Sequence, residues 1–108
     1  MRSAVRDLLP PALQRMLKQW GEHVNVSRRK RRITVAMMAE RTGLSMSTYL
    51  RVERGDPTVS MGAFAMTLFV LGLDQDVNRV MNSATDDQGL LLEEQLLPKR
   101  VRPPKATL

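Results

Sequence analysis

The sequence contains no cysteine and a single histidine, His23. These absences exclude a disulfide-stapled fold, a redox pair of cysteines, a cysteine nucleophile and a metal cluster built from thiolates or several histidines. Aromatic residues make up only 4% of the chain, so the core must come from leucine, valine, alanine and the eight methionines. No apolar run approaches the roughly 18 residues that cross a bilayer. The N-terminal stretch MRSAVRDLLPPALQ lacks the apolar segment of a secretory signal, so we expect a cytoplasmic protein that does not enter a membrane.

Positive charge is what the sequence has in excess. Seventeen lysines and arginines against eleven acidic residues give a net charge of +6, in a chain whose 108 residues suit about one domain. The basic residues are bunched in a run, Arg28 to Arg32, and in a C-terminal cluster, Lys99 to Lys105. The acidic pairs at 86–87 and 93–94 have no nucleophile–base set or phosphate-binding glycine loop beside them. The sequence therefore predicts a small binding module that is not an enzyme and needs no cofactor or metal.

Apolar residues recur at helical spacing along most of the chain, and no useful stretch alternates with the period of a strand. The pattern predicts an all-α fold with five helices, whose ends are marked by capping residues and glycines. The first helix covers residues 11–31, the second lies between Thr34 and Gly43, the third between Ser45 and Gly55, the fourth between Thr58 or Ser60 and Gly72, and the fifth begins at Asp74.

The residues after the fifth helix are expected to extend the folded domain. A polar loop is predicted over 82–89, a short helix or an extended arm over 90–97, and a mobile basic tail from Pro98 onward. The apolar side chains of the fifth helix and of 90–97 exceed what one small core can hide, which makes them candidates for a dimer interface. The predicted organisation is an N-terminal extension over 1–10, a folded domain over 11–82, and a C-terminal arm and tail over 83–108.

Residues 33–55, ITVAMMAERTGLSMSTYLRVERG, contain two short predicted helices joined by a tight turn. Small Ala39 lets the two helices approach at a steep angle, and Gly43 permits the left-handed backbone that such a turn needs. Tyr49 and Val52 are expected to point into the core. The residues expected on the outer side of the second helix are Met46, Ser47, Thr48, Leu50, Arg51 and Arg54. This is the geometry of a helix-turn-helix, in which the N-terminal part of the second helix enters the major groove of DNA.

The segment resembles the helix-turn-helix of the Cro/C1 (Xre) type. The positions that match are Ala39, Gly43, Ser45, Thr48, Glu53 and Gly55. The resemblance implies a five-helix Cro/C1-type domain, here with N- and C-terminal extensions. It also implies a homodimer that reads inverted repeats in double-stranded operator DNA and represses transcription.

Four further segments, ERGDPTVS, MGAF, LGL and LPKRVR, resemble antitoxins of the HipB type, which are encoded beside HipA-like Ser/Thr kinases. With these segments the resemblance covers residues 10–102. It implies an antitoxin that autoregulates its own toxin–antitoxin operon. It also implies that the antitoxin binds the HipA-like kinase toxin, with or without a third component.

Carried over by position, the resemblance implies base contacts from the second helix of the motif and backbone contacts around it. The base-contacting residues would be Met46, Ser47, Thr48 and Arg51, and the backbone-contacting residues Thr34, Ser45 and Arg54. Methionine offers no strong hydrogen bond, so Met46 is expected to pack on a thymine methyl, whereas Arg51 can grip guanine through O6 and N7. The basic run lies directly before the motif, so phosphate contacts are also expected from Arg28, Arg29 and Arg32.

Other functions remain open at the level of sequence. The same fold could serve only to bind a kinase, with little sequence-specific DNA binding, or could be a stand-alone repressor of the phage type. A basic RNA-binding or membrane-surface module is disfavoured, because the basic residues are bunched at one end of the first helix instead of lining a face. Glu53 is expected either to lie at a solvated helix end or to orient an arginine toward phosphate.

Overall fold

A computed structural model describes residues 8–82 and 87–96. Every regular element in these two ranges is a helix, which confirms the prediction of an all-α fold. The helices are α1 (Pro11–Lys30), α2 (Val35–Thr42), α3 (Met46–Glu53), α4 (Met61–Leu71), α5 (Asp74–Met81) and α6 (Asp87–Leu96). The predictions for the first seven residues, for 83–86 and for the basic tail lie outside the described residues.

Side-chain caps fix where α2, α3 and α4 begin. The hydroxyl oxygens of Thr34, Ser45 and Ser60 each accept a hydrogen bond from the backbone N–H three residues later, at 3.1, 3.0 and 3.0 Å. Such a bond satisfies one of the N–H groups that have no partner inside the helix. Ser60, and not the alternative Thr58, is therefore the cap of α4. At the other end of α2, Gly43 takes a left-handed conformation with φ 75° and stops the helix.

The core lies where α1, α2 and α4 surround α3. Met38 and Tyr49 are fully buried at its centre, with Val24, Val52 and Leu71 around them. Helix α3 contacts α1, α2 and α4, so its inner face is covered from three sides. Because the helix is packed in this way, its outer face has a fixed orientation.

Helix α4 has no charged residue on any side. Its inner face buries Ala63, Leu68 and Leu71, while Met66 and Phe69 on the other side are 43% and 65% exposed. The helical spacing of Met61, Phe64, Leu68 and Leu71 predicts that all four face inward. For Met61 this prediction is wrong, since its side chain is 88% exposed. The reason is its place in the first turn, where helical side chains tilt toward the N-terminus and so point past the core. A helix that is apolar all round leaves an apolar surface on the domain.

Helix α1 is joined to α4 by two aromatic rings. Trp20 stacks on Phe64 with ring centroids 6.0 Å apart, although Trp20 remains 44% exposed. The pair therefore lies at the edge of the core and not at its centre.

Helices α5 and α6 belong mainly to a second compact unit that begins at Gln75. Neither helix contains a buried residue. The loop predicted over 82–89 is corrected at its end, because residues 87–89 already belong to α6. The alternatives of a helix or an extended arm are resolved as a helix as far as Leu96. Four leucines of α6 are between 38% and 74% exposed.

Candidate DNA-binding surface

The turn between α2 and α3 is tied to the end of α2 by the buried Thr42. Its hydroxyl donates a hydrogen bond to the Met38 carbonyl at 2.6 Å and accepts one from the backbone N–H of Leu44 at 3.3 Å. The backbone N–H of Gly43 donates to the Glu40 carbonyl. The two helices therefore meet at a turn whose geometry is set by side-chain and backbone bonds together.

The outward side of α3 carries the four residues that the sequence predicts as base contacts. We call Met46, Ser47, Thr48 and Arg51 the α3 surface. Met46 is half exposed, Ser47 is exposed, and Thr48 and Arg51 are partly buried. Tyr49 and Val52 point the opposite way, into the core, so the helix separates into an inner and an outer side.

Arg51 is held by two residues of the loop that follows α3. Its Nε donates to Oδ2 of Asp56 at 3.0 Å, and its Nη2 donates to Oγ1 of Thr58. The Thr58 hydroxyl in turn donates to Oδ1 of Asp56 at 2.7 Å. Neither Asp56 nor Thr58 is predicted from the sequence as a partner of Arg51. The signal was present, because an Asp-Pro-Thr sequence after a helix-ending glycine suits a turn built on the aspartate side chain.

The basic run divides into one inward side chain and several outward ones. Arg29 and Arg32 are exposed, as are Thr34, Ser45 and Arg54 around the motif. Arg28, by contrast, is turned inward, and its side chain is only 11% exposed. Arg28 therefore makes contacts inside the domain. Only the exposed members of the run are available for contact with phosphates.

A carboxylate at the end of α3 holds Arg28 in place. Oε2 of Glu53 lies 2.6 Å from Nε of Arg28 and also accepts a hydrogen bond from the Tyr49 hydroxyl at 2.5 Å. Oε1 accepts a third bond from the side-chain amide of Asn25 at 2.7 Å, and Nη1 of Arg28 donates to the Ile33 carbonyl. Glu53 therefore fits neither of the two predictions made for it, since it is neither solvated nor directing an arginine outward. It fastens α3 to α1.

The environment of this cluster shifts the pKa values of its members. Burial by itself would raise the pKa of Glu53, but the hydrogen bonds from Arg28, Tyr49 and Asn25 outweigh it and hold the pKa below its usual value. Burial, and then the bond to Glu53, raises the pKa of the Tyr49 hydroxyl far above its usual value. At neutral pH the cluster is therefore an ionised carboxylate, a cationic guanidinium and a neutral phenol.

The lowered pKa of Glu53 predicts an acid-sensitive contribution to stability. A carboxyl group whose pKa is lower in the folded state stabilises the fold above its usual value of 4.5, and this stabilisation is lost as the pH falls through the folded value. We expect Glu53→Gln to be less stable than the parent at pH 7, with a difference that shrinks as the pH is lowered through the acid range. Urea denaturation at a series of pH values measures this. Glu40→Gln, at an exposed position of α2, is the control, and parallel curves for the parent and Glu53→Gln would contradict the expectation.

A model of the helix-turn-helix domain matches residues 19–80, which is more than half of the chain. The chain belongs to the helix-turn-helix domain family. The match spans the whole of α2, α3 and α4, so the helix-turn-helix of this family coincides with the segment whose geometry is described above. Family membership indicates a DNA-binding regulator with DNA as its partner. No curated protein and no solved structure matches the chain significantly.

Two further observations bear on what else this helix-turn-helix protein could bind. Within residues 8–82 and 87–96, no three metal-ligating side chains come together. In the same part of the chain, no helix combines the length and the apolar character needed to span a membrane.

Proposed function

We propose that the protein is a homodimeric, sequence-specific transcriptional repressor that reads operator DNA with the α3 surface. The observation that carries the proposal is the outward side of α3, which offers polar and apolar side chains from a helix clamped on its other side. A helix presented in this way fits the major groove of B-DNA. Since α3 is packed against three other helices, its side chains meet the groove in one orientation.

The α3 surface has the chemistry to distinguish base pairs. Met46 offers an apolar contact for the methyl group of thymine, while the hydroxyls of Ser47 and Thr48 can donate or accept hydrogen bonds. Arg51 offers paired donors for O6 and N7 of guanine. These four residues are our proposed base contacts.

Phosphate contacts are proposed around the α3 surface. Their side chains are Arg29, Arg32, Thr34, Ser45 and Arg54, all exposed. Cations that neutralise phosphates release counterions, so each contact should steepen the fall of affinity with salt by about 0.9 log units per log unit. The hydroxyls that cap α2 and α3 lie beside N-terminal backbone N–H groups, which also favour phosphate.

Dimerisation is proposed because large apolar side chains are exposed on helices of both compact units. The outer side of α4 contributes Met66 and Phe69, α5 contributes Val80 and Met81, and α6 contributes its leucines. A two-fold dimer would present two copies of α3 to successive major grooves of an inverted repeat.

The regulated operon is proposed to encode this protein together with a kinase toxin. Support comes from the sequence segments that resemble HipB-type antitoxins, among them ERGDPTVS and MGAF. In this proposal the kinase binds away from the α3 surface, so that it acts as co-repressor while it is restrained. The proposed cellular site is the cytoplasm, with the dimer on the nucleoid when it is bound to its operator.

The proposal predicts a large preference for the DNA upstream of the protein's own gene. Fluorescence anisotropy with that duplex and with a scrambled duplex, at two salt concentrations, should give affinities that differ by about 10³- to 10⁷-fold, with two protomers per site.

Arg51→Ala should cost about 1–3 kcal/mol on the upstream duplex and much less on the scrambled one. Arg15→Ala, which removes the same charge from an exposed position on α1, is the matched control.

Equal and steeply salt-dependent binding to both duplexes would contradict the proposed function as a sequence-specific repressor. A protein that binds the neighbouring kinase without a DNA preference would then be an interaction protein of the same fold.

A further inference from the structure

We propose that Asp56 and Thr58 are positioning residues that determine which base Arg51 reads. They hold one edge of the guanidinium, so that only its other edge can reach the DNA, and that edge fits guanine. The inference rests on the proposed function, because it assigns a specificity device to the same surface.

We call Asp56 and Thr58 the clamp on Arg51. The clamp binds one defined edge of the guanidinium group. The Nε–H and one N–H of Nη2 lie on this edge, and they are bound by Oδ2 of Asp56 and Oγ1 of Thr58. A guanidinium carries five N–H donors in a fixed plane. One N–H of Nη1 and the second N–H of Nη2 point in the same direction and form an edge that the clamp does not use.

The clamp is itself held in position by the chain around it. Oδ1 of Asp56 accepts the backbone N–H of Thr58 at 2.8 Å as well as its hydroxyl at 2.7 Å. The backbone N–H of Asp56 donates to the Arg51 carbonyl at 3.1 Å, and the Asp56 carbonyl accepts the N–H of Val59. The side chain of Asp56 is 15% exposed and that of Arg51 is 34% exposed. The loop therefore places a carboxylate at a fixed point beside the last turn of α3.

The edge that the clamp leaves for DNA matches one base in particular. Adjacent N–H groups on Nη1 and Nη2 are parallel donors, and guanine presents the parallel acceptors O6 and N7 in the major groove. A long arginine side chain loses rotamer freedom when it binds, and one that is already ordered loses less. The clamp therefore favours paired hydrogen bonds to guanine over the many other contacts that a free arginine can make.

The negative charge of Asp56 also favours base contacts of Arg51 over phosphate contacts. A carboxylate 3.0 Å from Nε offsets part of the attraction that the guanidinium would otherwise have for phosphates. Attraction to phosphate is independent of sequence, whereas hydrogen bonding to a base edge is not. Asp56 therefore lowers binding to any DNA while it supports binding to the correct site.

The test compares Asp56→Asn and Thr58→Val with the parent, on the upstream operator and on a scrambled duplex. Asp56→Asn keeps the size of the side chain and an oxygen that can accept the Thr58 N–H, but it removes the charge. We expect it to bind the operator more weakly and the scrambled duplex as tightly or more tightly, with a salt dependence steeper by about 0.9 log units per log unit. The ratio of the two affinities should fall by about 5- to 150-fold, the range for one bidentate base contact. Thr58→Val should lower the ratio without changing the salt dependence.

The base that is read is identified by a scan of single base-pair changes in the operator. The position whose preference disappears in Arg51→Ala is the one that Arg51 reads. Replacing its guanine by 7-deazaguanine, which lacks the N7 acceptor, should weaken the parent and weaken Asp56→Asn much less. The double variant Arg51→Ala/Asp56→Asn should discriminate no worse than Arg51→Ala alone.

The outcomes separate this inference from the proposed function. If the parent protein shows no preference for the operator, the clamp and the proposed function are both overturned. A parent with operator preference, beside Asp56→Asn and Thr58→Val variants that remain folded by circular dichroism and lose affinity equally on both duplexes, overturns the clamp alone. Discrimination lost at the Arg51 position and retained elsewhere supports it.

Discussion

Gly55→Ala is expected to destabilise the domain by about 4 kcal/mol or more, which is close to the whole stability of many small domains. A Cβ atom at this position would lie 2.2 Å from the carbonyl oxygen of Leu17 and 2.7 Å from Cα of Lys18. Both are backbone atoms of α1, so neither can turn aside as a side chain would. The residue also has φ +70°, a conformation that costs an alanine roughly a further 1–2 kcal/mol.

The close approach is made by two glycines, one from each side. A Cβ at Gly21 in α1 would lie 2.4 Å from the Glu53 carbonyl oxygen and 2.5 Å from the Gly55 nitrogen. The helix that presents the α3 surface therefore ends directly against the backbone of α1. We expect Gly21→Ala to be destabilised by a similar amount.

Gly43→Ala provides the matched control for Gly55→Ala. Gly43 has φ +75°, but nothing lies within 4 Å of the place where its Cβ would be. It should therefore cost only the backbone strain, about 1–2 kcal/mol. Chemical denaturation followed by circular dichroism measures all three variants. If Gly55→Ala lost no more stability than Gly43→Ala, the close approach of the two backbones would not be the reason for glycine there.

Arg28→Ala is expected to cost about 3–5 kcal/mol, because it leaves the Glu53 carboxylate buried without its cation. The side chains of Arg28 and Glu53 are only 11% and 8% exposed, so the protein surrounds most of the pair. Desolvation of an unpaired charge is the larger part of this cost. The expected result is a large fall in the urea midpoint, with the slope of the transition unchanged.

Arg29→Ala separates the interior role of the basic run from its role on the surface. Arg29 is the adjacent residue, carries the same charge and is exposed, with its Nε bonded to Asn25. Its replacement should change stability by less than about 1 kcal/mol and should weaken binding to every duplex alike. The double variant Arg28→Met/Glu53→Leu should recover part of the stability that Arg28→Ala loses, since no charge is then buried. Equal losses in Arg28→Ala and Arg29→Ala would contradict the buried pair.

The helices of the motif could be predicted from local signals. Thr34 and Ser45 mark the starts of α2 and α3, and Gly43 marks the turn, because capping and left-handed conformations depend on residue types close by in the chain. The start of α6 was not predicted, because the same local signals are misleading there. Its first residues include Asp87 and Gly89, whose types are typical of a polar loop.

The contacts that organise the site are non-local, and the sequence did not reveal them. Arg28 belongs to a charge run and looks equivalent to its neighbours, yet its partner Glu53 lies 25 positions further along the chain. Periodicity and charge patterns describe one element at a time, whereas this pair depends on how α1 and α3 cross. The side of α3 that faces outward was predictable, but the side chains that hold Arg51 were not.

The separation of α3 into two sides has a consequence for how this protein can change its target during evolution. Met46 and Ser47 lie on the outside of a helix whose stability comes from the other side. If the α3 surface reads DNA as proposed, substitutions there change the base contacts and leave the fold intact. Arg51 differs, because its side chain is bonded to Asp56 and Thr58. A lineage that alters residue 51 has reason to alter 56 and 58 with it. We therefore expect residues 51, 56 and 58 to vary together among related proteins, and residues 46 and 47 to vary independently of them.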